Sequence, residues 1–318
     1  MLPFASMSAK IPLLVLNQQT PTHVQQIGAV YDLVYAPTPA ERAAAIASRG
    51  RDFRAVLTIG TVGLTPEEVA AMPALELVCC MGVGYEGLPM DALRARGIVT
   101  ANGAGTNDST VADHAFGLIL AIVRRIPERD RLCREGVWRD VLTMPPQLEG
   151  RRLGIFGMGA IGAKLARRAA GFDMPVGYHN RKPVEGSPHR YFDDLAELAR
   201  WCDVLVCAAP GGAATRHKVN AQVLQALGPQ GYLVNVGRGS LVDTEALAEA
   251  LRSETIAGAA LDVYESEPRR PEPLIGLANI VLSPHMAGWS PEAVQCSVDR
   301  FMANAEGHFA GRGVVSPI

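Results

Sequence analysis

The sequence predicts an α/β protein of two domains, each a parallel sheet covered by helices. Three observations predict it. The chain has 318 residues, enough for two domains at roughly 100–200 residues each. Short apolar runs alternate with capped helical runs along most of the chain, the β-α-β punctuation of a parallel sheet. A turn rich in glycine, Gly157-Met158-Gly159-Ala160-Ile161-Gly162, stands between a strand and a helix, where a dinucleotide-binding fold has its phosphate-binding turn.

Leu13–Leu16 reads as the first strand, and Pro37 and Pro39 precede an alanine-rich helix that ends near Gly50. Ala55–Ile59 is a strand that runs into Gly60-Thr61-Val62-Gly63. Thr65 caps the next helix, with Pro66 at its first position and Glu68 completing a capping box. Leu77–Met81 is a strand closed by Gly82-Val83-Gly84, Met90–Arg96 is a helix stopped by Gly97, and Ile98–Thr100 is a strand. A helix apolar nearly all round is expected from Ser109 to Ile126, opened by Asn107 or Asp108 and closed by Pro127. Such a helix suits a place between domains or subunits. The charged stretch Glu128–Asp140 leads to Pro145-Pro146.

Leu153–Phe156 is a buried strand, Lys164–Ala170 a helical run and Val176–Tyr178 the next strand. Asp193–Arg200, Asn220–Leu227 and Thr244–Leu251 read as helices, and Val204–Cys207, Leu233–Val236, Ala257–Val263 and Asn279–Leu282 as strands. A last helix, Pro291–Phe309, is long enough to cross back onto the first domain. The expected domains are residues 1–102 with 291–318, and residues 103–290, both Rossmann-like with parallel sheets.

Composition narrows the function. Apolar types make up 48% of the chain, and Lys plus Arg is 30 against Asp plus Glu 32. A disordered chain is excluded, and the balance of charge offers no global field for nucleic acid or an anionic membrane. The 6 cysteines show no C-x-x-C spacing, which argues for thiols in a reducing, cytoplasmic compartment. The opening MLPFASMSAKIP is too short and too weakly apolar for a secretory leader, and Met7 is a second candidate start beside Met1. The histidines have no metal-ligand spacing, so no metal is expected.

The glycines of the turn divide three tasks: Gly157 permits the tight bend, Gly159 admits a pyrophosphate, and Gly162 lets helix and strand approach. Met158, Ala160 and Ile161 would present their backbone there. An NAD site expects an acid about 20 residues on, for the ribose 2′-hydroxyl. Asn180, Arg181 and Lys182 stand there instead, suited to the 2′-phosphate of NADP. Arg238, Glu267 and His285 each follow a predicted strand, at the carboxyl ends where open α/β sheets bind ligands. Glu267 would keep His285 charged as a proton donor, and Arg238 would offer a planar fork to a 2-keto acid.

The segments CCMGVGYEGLPMDALRARGI, GTNDSTVADHAFGLILAIVRRI, LGIFGMGAIG, LVNVGRGSLVD, ALDVYESEP and LSPHMAG resemble the D-isomer-specific 2-hydroxyacid dehydrogenases, in the glyoxylate/hydroxypyruvate reductase branch. The resemblance implies an active site in an interdomain cleft, NADPH preferred over NADH, a small 2-keto acid substrate and a homodimer. It implies Arg238, Glu267 and His285 as the catalytic set, and Val83 and Gly84 as backbone donors to the substrate carboxylate. Thr110, Ala209, Pro210, Val236 and Gly237 would lie along the cofactor, with Asp262 on the nicotinamide carboxamide. Trp289 is bulkier than is usual there and is expected against the substrate or in packing; Trp138 and Met144 would line the pocket or pack. His114 is expected as a packing or cofactor-side residue. An arylpyruvate reductase is the alternative enzyme, and a dinucleotide-sensing binding protein the alternative of another class.

Overall fold

The computed structural model describes residues 10–318; the candidate starts Met1 and Met7 lie outside them. The chain divides into two units, one reaching Asn107 and resuming over Ser290–Ile318, the other Asp108–Trp289.

The first unit is a parallel sheet of β1 (Pro12–Val15), β2 (Asp32–Tyr35), β3 (Ala55–Ile59), β4 (Leu77–Met81) and β5 (Val99–Ala101), in the order β2-β1-β3-β4-β5. Successive side chains of a strand point to opposite faces, so one sheet needs two covers. Leu14, Val56, Val78 and Cys80 pack on one face with Ala45, Val69 and Leu93, which come from α2 (Pro39–Arg49), α3 (Pro66–Ala71) and α4 (Met90–Ala95). Leu13, Val15, Leu57, Leu77 and Cys79 form the other face with Val298, Phe301 and Ala305 of the last helix, Pro291–Phe309. Thr38 and Thr65 close capping boxes with Glu41 and Glu68, which start α2 and α3 where the sequence says. α1 (Pro21–Val30) and β2 arise where no element is expected. Only His23 and Ile27 of α1 are buried and β2 is half-buried throughout, so neither carries a strong periodic signal.

The second unit opens with α5 (Asp108–Val123), which ends before the expected Ile126. Arg125 adopts a left-handed φ of 54° and a new helix, α6 (Ile126–Arg134), begins. Pro127 therefore starts a helix instead of closing one, because a proline in the first turn lacks only an N–H that has no helical partner there. α6 buries no residue and pairs Arg131 with Glu135 and Arg134 with Asp130 along its surface. The sheet comprises β6 (Leu153–Phe156), β7 (Val176–His179), β8 (Arg190–Phe192), β9 (Val204–Cys207), β10 (Tyr232–Asn235), β11 (Gly258–Leu261) and β12 (Ile280–Leu282). It is parallel, in the order β12-β11-β10-β9-β6-β7-β8; β8, three residues at an edge, is not legible in the sequence. Val111, Ala115, Ile119 and Ile122 of α5 pack on Ile155, Val206, Val234 and Ala260. Much of its apolar surround is thus matched by the sheet of its own unit. α7 (Ala160–Ala170) shares that face, while α8 (Leu195–Trp201), α9 (Ala221–Leu227) and α10 (Thr244–Arg252) cover the other.

Candidate active site

The order β12-β11-β10 makes three neighbours of strands far apart in sequence. Arg238 follows β10, Glu267 follows β11 and His285 follows β12, so all three emerge at the carboxyl edge of one parallel sheet. His285 Nδ1 lies 2.7 Å from Glu267 Oε2, and Glu267 Oε1 accepts the Tyr264 N–H at 2.7 Å. With Nδ1 turned to the carboxylate, the imidazole presents Nε2 outward from a half-exposed ring. The hydrogen bond that His285 donates to Glu267 raises the histidine's pKa above its usual value against the opposing effect of burial. Burial would raise Glu267, yet the bonds from His285 and Tyr264 and the charge of Arg238 carry it below the usual carboxylate range. Arg238 Nη1 donates to the Gly237 carbonyl, and Asn235 ties the turn by donating to the Arg238 carbonyl at 2.9 Å and accepting the Gly237 N–H at 3.1 Å.

His285 has a left-handed φ of 56°, a conformation that side chains rarely adopt unless the surroundings impose it. Asp262 imposes it. Its carboxylate is fully buried and accepts the N–H groups of Met286 and Ala287, both at 2.8 Å, and the Ser283 hydroxyl at 2.5 Å. Its carbonyl accepts the His285 N–H at 2.9 Å. The sequence does not announce this task for Asp262; an acid directly after a buried strand is its only signal. His114 Nε2 lies 3.0 Å from the Ser283 hydroxyl, behind the same turn. Trp289 closes the turn with its N–H on Met286 O and leaves its ring 66% exposed.

The glycine-rich turn has the shape that a dinucleotide requires. Gly157 has φ 107°, and a Cβ there would lie 2.5 Å from the Ala209 nitrogen. A Cβ at Gly162 would run into the Gly157 carbonyl, whereas one at Gly159 would meet nothing within 4 Å. The chain is thus closed around the first and last glycines and open at the middle one. Ala160 and Ile161 begin α7, whose N-terminus receives no side-chain cap, so its amides and dipole face outward for an anion. The residues fit a dinucleotide. Ala209 packs behind Gly157, Pro210 follows it, and Val236 and Gly237 lead from β10 to Arg238. Asn180 Oδ1 accepts the Met158 N–H at 2.8 Å, joining the end of β7 to the turn. Asn180, Arg181 and Lys182 line a cavity of about 470 Å³. The Tyr178 and Tyr191 hydroxyls hold that loop through Val184 N and Asn180 O.

Thr110 lies in the first turn of α5. Val83 and Gly84 belong to the first unit, in the loop after β4, with Val83 39% exposed. Trp138, Val141 and Met144 are exposed by 66%, 79% and 96%. Among the described residues no three His, Cys, Asp or Glu side chains converge as metal ligands, and no helix is long and apolar enough to cross a membrane.

Residues 116–287 match the family described as D-isomer specific 2-hydroxyacid dehydrogenase, NAD binding domain. A hydroxyphenylpyruvate reductase of Plectranthus scutellarioides is 37% identical over 89% of this chain and 91% of its own. A glyoxylate/hydroxypyruvate reductase of Arabidopsis thaliana is 35% identical over 91% and 92%. The chain also superposes on the NADPH-dependent glyoxylate/hydroxypyruvate reductase of Sinorhizobium meliloti, solved with NADP and malonate. That TM-score is 0.89 at 36% identity, covering 98% of this chain and 97% of that one.

The second and third glycines separate by experiment. Gly159→Ala should leave the melting temperature unchanged, since its Cβ enters open space, but weaken dinucleotide binding by about tenfold or more. Gly162→Ala should cost about 1–3 kcal/mol of stability through overpacking. Fluorescence titration with NADPH and thermal melting read the two effects; unchanged affinity in Gly159→Ala would remove the turn from the cofactor site.

Proposed function

The chain belongs to the D-isomer-specific 2-hydroxyacid dehydrogenases, and on that premise we propose that it reduces glyoxylate or hydroxypyruvate to glycolate or D-glycerate, preferring NADPH to NADH. The single observation that carries the reading is the 2.7 Å pair of His285 and Glu267 beside Arg238 at the carboxyl edge of the sheet. When bound, the nicotinamide supplies the hydride. Arg238 holds the carboxylate and the carbonyl oxygen of the keto acid with its planar fork. His285 Nε2 gives its proton to that oxygen as negative charge develops, an interaction strongest in the transition state. Glu267 keeps the proton on Nδ1 and the ring cationic, and the Tyr264 N–H holds Glu267 in place. The Val83 and Gly84 amides are donors to the carboxylate in this reading, as the family resemblance implies. Thr110, Ala209, Pro210, Val236 and Gly237 line the cofactor in this reading, as the family resemblance implies; Asp262, expected on the nicotinamide carboxamide, has no exposed surface and spends its carboxylate on the turn that carries His285. A bulkier 2-keto acid is the second reading, favoured by the exposed Trp289 ring after His285 and by the relative that bears the hydroxyphenylpyruvate reductase name.

Arg181 and Lys182 beside the cavity at the end of β7 support NADPH. The exposed apolar side chains Trp138, Val141 and Met144 support a homodimer, because monomers seldom leave such a group in water. Six free thiols support a cytoplasmic site. Light scattering should give twice the mass of one chain; a single-chain mass at micromolar concentration would remove the dimer.

NADPH oxidation against a panel of 2-keto acids tests substrate and cofactor together. The highest kcat/KM should fall on glyoxylate or hydroxypyruvate with NADPH, and Arg181→Ala should weaken NADPH far more than NADH. Equal use of the two cofactors would defeat the NADP assignment, and a preference for phenylpyruvates would move the substrate to the second reading.

The pH dependence tests the acid. His285 is raised above its usual value by Glu267, so reduction should fall as pH rises through the His285 pKa, at a pH above that of an unperturbed imidazole. Glu267→Gln lowers that pKa, and the fall should move toward acid. Oxidation needs the neutral ring as base, so the same variant should remain active to lower pH in that direction. His285→Ala should lower kcat about 10²–10⁴-fold with NADPH affinity kept. An alkaline limb that stays in place in a folded Glu267→Gln protein would show that Glu267 does not tune His285.

A further inference from the structure

The loop Gly82-Val83-Gly84 is held from behind by the chain that leaves β5. Gly103 N–H donates to the Gly82 carbonyl at 2.7 Å, and Asn102 Nδ2 donates to the Val83 carbonyl at 2.8 Å. A trans peptide is planar, with its C=O and N–H pointing in opposite directions. Pinning the Gly82 carbonyl therefore turns the Val83 N–H away from β5, and pinning the Val83 carbonyl turns the Gly84 N–H the same way. Two successive N–H groups aimed to one side form an anion-binding concavity. Gly82 takes the left-handed φ of 76° at its start.

The loop has no slack on either side. A Cβ at Gly103 would lie 2.6 Å from the Gly82 nitrogen, and one at Gly60 would lie 2.7 Å from the Gly84 carbonyl group. Asn102 is itself immobilised, at 5% exposure. Its N–H donates to Ser316 O at 3.1 Å, and its carbonyl accepts the Ser316 hydroxyl at 2.5 Å. Asn304 Nδ2 in turn donates to that hydroxyl at 3.0 Å. Because Asn102 Oδ1 accepts the Ala104 N–H at 3.1 Å, the amide of the side chain is oriented with its NH₂ toward Val83.

We propose that Asn102 is a positioning residue for the substrate: it aims the Val83 and Gly84 amides so that both donate to the carboxylate of the keto acid. This rests on the reading of those two amides as carboxylate donors. Nothing in the family segments of the sequence points to Asn102, and its side chain never touches the reacting atoms. It acts through the peptide that it holds.

Asn102→Asp is nearly isosteric and still accepts the Ala104 N–H, but it cannot donate to Val83 O. The KM for glyoxylate and the inhibition constant of oxamate should rise together by about ten- to a hundredfold, the range of a hydrogen bond to a charged group. The melting temperature should fall, since a buried carboxylate then faces the Val83 carbonyl, but the dissociation constant of NADPH should stay at its wild-type value in the folded variant, which a merely structural residue would not allow. If Asn102→Asp does not fold, Asn102→Ala is measured in the same way. Gly84→Pro, which deletes one donor outright, separates the proposal from the reading beneath it. A rise in both constants in the Asn102 and the Gly84 variants supports the proposal. A rise in Gly84→Pro alone overturns it and leaves the reading standing. No rise in either folded variant means that the carboxylate is held elsewhere, and both fall. NADPH affinity lost in parallel with KM would make Asn102 structural and overturn the proposal.

Discussion

A buried carboxylate holds the chemistry of the second unit in shape. Asp262 has no exposed surface, and a carboxylate in that position is costly unless its oxygens are satisfied. Here they are satisfied by the backbone that surrounds His285, two N–H groups and a serine hydroxyl. The left-handed conformation of His285, which costs of order 1–3 kcal/mol on its own, is offset by those bonds. Stability and reactivity are coupled at this point: the anion needs the turn for its solvation, and the turn needs the anion for its shape.

The rest of the site is a consequence of strand order. Parallel neighbours send their carboxyl ends to one edge, so residues 238, 267 and 285 meet without any local motif that joins them. Glu267 then illustrates how small distances decide charge. Burial favours its neutral form, while a histidine, a backbone amide and an arginine favour the anion, and the second group prevails. The same arrangement lifts the histidine. Neither shift is a property of the residue; each is a property of the edge on which it stands.

Much of this was legible in the sequence where one local physical rule governs. Thr65, three residues before a glutamate, marks a helix start, and β4 and β9 read as apolar runs because both faces of their sheets are covered. Arg238, Glu267 and His285 stand out as polar residues directly after strands. Other features obey no local rule. The break at Arg125 is hidden because Pro127 serves equally to end a helix or to begin one. The anchoring by Asp262 requires a partner more than twenty residues away, and Asn102 reaches back nineteen residues to a carbonyl. A bond between a side chain and a distant backbone leaves no periodicity for a sequence to display.

The last helix covers a face of the first sheet, and this has a bearing on synthesis. The second unit, Asp108–Trp289, is one uninterrupted stretch and has every residue it needs as soon as it clears the ribosome. The first unit does not. Leu13, Val15, Leu57, Leu77 and Cys79 are made early, yet Val298, Phe301 and Ala305, which cover them, are made some two hundred residues later. At roughly 5–20 residues per second that half-finished sheet waits on the order of ten seconds or more with an oily face toward water. Order of manufacture and order of folding are therefore inverted in this chain, and the interval between them is when a chaperone has the most to hold.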